Sequence, residues 1–128
     1  MWTVWRCQIA TMGDYRKLQV WRKARLLRGV AYRTTESFPT EERYGLKGQI
    51  RRASGSIMAN KAEGAGRNRD REFARFVSIA LGSAAELESH FIAANDQGLL
   101  ELAVARDAVE KTAEVGRMLA GLLKRLRE

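Results

Sequence analysis

The chain holds one cysteine (Cys7), one proline (Pro39) and one histidine (His90) in 128 residues. A lone cysteine cannot close an internal disulfide, and without a Cys/His cluster no structural zinc site can be assembled. Both absences suit a reducing, cytoplasmic setting. Long apolar runs are missing as well. No stretch approaches the roughly 18 residues that span a bilayer, and Arg6 interrupts the first apolar residues where a secretory signal needs its hydrophobic region. A soluble protein with no membrane partner is expected. With so little proline, 45% hydrophobic residues and many Ala, Leu, Arg and Glu, helix is unopposed. The length suits a single all-α domain.

Acidic side chains are scarce in one half of the chain. Residues 1–64 carry 13 Lys/Arg against 5 Asp/Glu, whereas residues 65–128 carry 10 of each, so the whole net charge of +8 belongs to the first half. A basic surface of this kind fits a polyanionic partner, with counterion release as the driving force. A merely solubilising face is the alternative.

Residues 1–13 show no helical or strand periodicity before the natural start near Met12, and read as a disordered extension or a start-site artefact. From residue 14 to 128 the apolar spacing is helical. Val20, Ala24, Leu27 and Ala31, widened by Trp21 and Val30, define a first helix from about Asp14 to Glu36. Pro39 ends it, and Phe38 is placed to plug the bundle end. Leu46, Ile50, Ala53, Ile57 and Asn60 form the seam of a second helix that exits through Glu63-Gly64-Ala65-Gly66-Arg67. Phe73, Val77, Ala80, Ala84, Leu87, Phe91 and Ala94 mark the third, opening at Asn68 or Asp70. Asn95 to Gly98 is a loop by composition. Ala105, Ala108, Thr112, Val115, Leu119, Leu122 and Leu126 mark the fourth, which ends in cations that complement its dipole. Short connections make an antiparallel up-down-up-down four-helix bundle the natural architecture. Two long parallel α-hairpins, or three helices with a detached basic arm, are the alternatives.

No catalytic set emerges. His90 sits on a helix flank, Ser54 and Ser56 have no histidine at helical spacing, and the glycine pair lacks the preceding strand and the GK[ST] of a phosphate loop. A non-enzymatic protein with no cofactor and no metal is expected. Two groups of polar residues stand out instead. Arg22, Lys23, Arg25 and Arg28 on the first helix, with Lys47, Arg51 and Arg52 on the second, are candidate phosphate contacts. Asn60, Glu63 and Arg67, with Glu86 and Glu88 on the third helix, form a candidate interior network that sets helix register, or lines a pocket.

Five segments carry a resemblance: YRKLQVWRKA (Tyr15 to Ala24), FPTEERYGL (Phe38 to Leu46), QIRRASGSIMANKAEGAGR (Gln49 to Arg67), EFARFVSIALGSAAELE (Glu72 to Glu88) and EVGRMLAGLLKRL (Glu114 to Leu126). In this order they resemble the four-helix-bundle proteins encoded in intervening sequences of bacterial 23S ribosomal RNA genes. Lys61 departs from that pattern, standing where the family usually has an apolar residue. The resemblance implies an antiparallel bundle assembled as a ring-like homopentamer. It also implies kinship with the accessory variability proteins of diversity-generating retroelements, so the partners it points to are further copies of the chain, structured RNA or DNA, and a reverse transcriptase. Two functions follow as expectations: a nucleic-acid-binding accessory protein, or an oligomeric scaffold whose basic face only solubilises.

Overall fold

The computed structural model describes residues 15–43, 45–58 and 69–127. They form α1 (Tyr15–Thr35), a short 3-10 turn (Thr40–Arg43), α2 (Leu46–Met58), α3 (Arg69–Asp96) and α4 (Leu102–Leu126). Helices consecutive in the chain are neighbours in space, α1 closes the ring against α4, and the diagonal pairs scarcely meet. This is the expected four-helix arrangement. The apolar seams hold where they are described, with Asn60 outside the described residues. Every named apolar member of the α1 and α3 rows is buried, as are Leu46, Ile50, Ala53 and Ile57 of α2 and the α4 row up to Leu122. Leu126 is half-buried at the fraying end.

Many of these buried positions are alanines, so the helices approach closely and bulk is concentrated in a few side chains. Phe91, Leu87, Leu27 and Ile50 are the largest fully buried side chains, and the bulkier Trp21, Phe73 and Phe38 are buried in the same core. Where the small-residue patches of α2 and α3 cross, the Ser56 and Ser83 hydroxyls share a hydrogen bond of 2.8 Å. Serines make that contact, whereas Gly55 and Gly82 face open space in which an added Cβ would meet nothing within 4 Å. The buried hydroxyls of Thr35 and Thr112 donate to the carbonyls of Ala31 and Ala108, both at 2.7 Å, and that of Ser54 to Arg51 at 2.9 Å. Each of these three hydroxyls thereby keeps a partner, as burial demands.

The connections are built by local chemistry. Past Pro39, the Glu42 carboxylate accepts the Leu46 N–H at 3.0 Å and caps α2. A Cβ on Gly45 would come within 2.8 Å of that carboxylate oxygen, so glycine leaves room for the cap. After α3, Gly98 takes the left-handed conformation at φ 76°. The Leu99 N–H then reaches the Ala94 carbonyl at 2.8 Å and the Gly98 N–H that of Asn95 at 3.0 Å, the paired bonds of a Schellman stop. The Asn95 side-chain amide donates to the Leu100 carbonyl at 3.0 Å and fastens the turn. α4 starts at Leu102, three residues before its first core position. None of the described helices is long and apolar enough to cross a membrane.

Candidate nucleic-acid interface

The charge asymmetry sharpens once the helix limits are known. α1 contains Arg16, Lys17, Arg22, Lys23, Arg25, Arg28 and Arg33 and not one Asp or Glu. α2 adds Lys47, Arg51 and Arg52, again without an acid. The described acids of the first half, Glu36, Glu41 and Glu42, lie between these two helices. The contrast with α4 is plain: there Lys111 pairs with Asp107 at 2.8 Å and Arg117 with Glu110 at 3.1 Å, so the outer face neutralises itself.

Burial of the Val20, Ala24, Leu27 and Ala31 row turns Arg22, Arg25, Arg28 and Arg33 outward on α1. Aromatic side chains steady several of these guanidiniums. Arg25 lies over the buried Trp21 ring at 5.9 Å and Arg28 over Tyr32 at 5.2 Å. Arg25, Arg28, Gly29 and Tyr32 line a shallow depression of about 320 Å³. It offers two cations beside a partly exposed aromatic ring, the combination that accepts a phosphate with a stacked base or sugar edge. Sequence reasoning missed Tyr32, although its i+4 spacing from Arg28 was the available signal.

The other predicted contacts divide. Lys23 points to the opposite flank of α1 and pairs with Glu114 of α4 at 3.1 Å, half exposed. Arg52 is exposed and Lys47 half-buried. Arg51 turns inward. Its Nε donates to Thr35 Oγ1 at 3.0 Å, its Nη2 to the Tyr32 carbonyl at 3.3 Å, and its guanidinium lies 4.4 Å from the Tyr32 ring centre. It clamps the end of α1 to α2 and fixes the ring that Arg28 also touches.

Of the proposed polar network, Asn60, Glu63 and Arg67 lie outside the described residues. Glu86 is exposed and meets His90 at 3.4 Å, a surface contact along α3, and Glu88 is half-buried. Glu86 is directed to solvent, while the His90 side chain beside it is mostly covered. Among the described residues no three His, Cys, Asp or Glu side chains gather as a metal set.

Comparison with known families gives one informative match: the family described as 23S rRNA-intervening sequence protein matches residues 16–121, from the first turn of α1 into the last turns of α4. No curated protein matches the chain.

Proposed function

The chain belongs to the 23S rRNA-intervening sequence protein family, and from that premise we propose that it is a non-catalytic, self-assembling protein that binds structured RNA or DNA through the outer face of α1. The observation that carries the reading is the acid-free run of α1 and α2, with Arg22, Arg25 and Arg28 exposed around a basic, aromatic-edged depression. Such a face engages phosphates in a sequence-independent way, so shape and charge rather than base identity set the preference. Arg52 and Lys47 extend the track onto α2, while Arg51 shapes it from behind.

Assembly is part of the proposal. Leu26 is 65% exposed on α1 and Ile79 and Ile92 about half exposed on α3. These helices occupy opposite corners of the bundle. Two unlike patches on opposite corners suit a head-to-tail contact, which closes as a ring such as a homopentamer. Five copies would raise the charge from +8 to about +40 and let weak phosphate contacts act together.

The test is fluorescence anisotropy with a structured RNA and a DNA duplex across a salt series, alongside light scattering. Binding should weaken steeply with salt, and replacing Arg22, Arg25 and Arg28 together by Gln should lower the log–log slope by about 2 to 3. No association even near about 50 mM salt would end the nucleic-acid reading. A monomer at micromolar concentration would end the assembly reading.

A further inference from the structure

The second half of the chain is neutral in sum, yet its charges are separated in space. At the end of the bundle where α3 begins and α4 stops, Arg71, Arg75 and Arg127 line a depression of about 470 Å³ together with Ser78, Ala74 and Leu126. All three arginines are exposed. Among the described residues none of them has a carboxylate partner, in contrast to the paired cations of α4. Arg71 and Arg75 stand one turn apart, a like-charge spacing that disfavours the helix unless an anion offsets it. α4 brings the negative end of its dipole to the same place, worth about half a charge, and three full positive charges outweigh it.

We propose that this depression is a binding site for the phosphate of a nucleotide, either free or within a strand. The three guanidiniums supply charge-assisted donors to phosphate oxygens, and the Ser78 hydroxyl supplies one more. Ala74 and Leu126 give an apolar floor, and the volume exceeds what a bare phosphate needs, so a sugar or base has room beside it. The site shares no residue with the α1 face and stands whether or not that face binds nucleic acid.

The experiment uses the full chain with inorganic phosphate, adenosine monophosphate and a short single-stranded RNA as probes, read by amide chemical shifts and titrated affinities. Saturable shifts at Ala74 and Ser78 are expected, together with a loss of at least about tenfold in affinity for Arg71→Gln with Arg75→Gln. Lys111→Gln, which removes a cation already paired with Asp107 on the outer face of α4, should leave mononucleotide binding within about twofold. Saturation by the mononucleotide identifies a free nucleotide as ligand. Saturation only by the RNA, lost in the same variant, identifies a strand phosphodiester. Should the double variant compromise folding, Arg127→Gln carries the same expectation from the other helix. Unchanged affinity for all three probes in a folded variant, or no shifts on α3 and α4, overturns the proposal.

Discussion

Replacing Arg51 tests whether this arginine is a structural clamp or a phosphate contact. Its Nε bond to the fully buried Thr35 hydroxyl is a charged donor on a neutral acceptor, worth about 1.5 to 3 kcal/mol. The Thr35 proton is already directed at the Ala31 carbonyl at 2.7 Å, so the hydroxyl oxygen is free to accept. Stacking on Tyr32 adds about 0.5 to 1 kcal/mol, and a cation beside the last carbonyls of α1 about 0.3 to 1 kcal/mol. These contributions overlap, and the exposed bond to the Tyr32 carbonyl adds little. Arg51→Ala should therefore destabilise the fold by about 2 to 3 kcal/mol. Arg51→Lys keeps the charge but not the fork, and should lose about half as much. Urea unfolding followed by far-UV circular dichroism, at one protomer concentration, measures both. A double-mutant cycle with Thr35→Val should return a coupling of about 1 to 2 kcal/mol. Losses under about 0.5 kcal/mol, or a coupling near zero, would refute the clamp.

Two glycines should respond in opposite directions to alanine. Gly98→Ala forces a Cβ into the left-handed conformation and should cost about 1 to 2 kcal/mol, whereas Gly82→Ala, exposed in mid-helix with open space around it, should gain about 0.5 to 1 kcal/mol in the unassembled chain. Thermal unfolding of the two variants checks the signs. Phe91→Ala removes the largest fully buried side chain and should cost about 3 to 5 kcal/mol by urea titration. Glu114→Gln breaks only a half-exposed pair with Lys23 and should cost less than about 1 kcal/mol, with the difference vanishing at high salt.

The core was legible because its signal is one-dimensional. A helix repeats its inward face every three or four residues, so the row from Phe73 to Ala94 could be named before any packing was known. The stop at Gly98 was legible from its composition, although Asn95 and Asp96, expected in the loop, complete the last turn of α3. Contacts between helices were not. Arg51 and Thr35 are 16 residues apart, and nothing in either neighbourhood announces that one side chain reaches the other. The Arg71, Arg75 and Arg127 depression was hidden by bookkeeping: summing charge over half the chain cancels a basic end against acids elsewhere.

The closure of α1 on α4 gives synthesis of the chain a direction-dependent cost. Of the four described helices α1 leaves the ribosome earliest, but one of its two packing partners, α4, is the last of the four. At about 5 to 20 residues per second, the stretch from the end of α1 to the end of α4 takes roughly 5 to 18 s, during which α1 lacks a complete α4 while its acid-free surface is already made. The α3–α4 hairpin, joined by a short fastened turn and making the most extensive helix contact, can form as soon as its own residues are out. α1 then docks as the closing element. A polyanion that met the nascent chain would meet its most basic helix before the bundle existed.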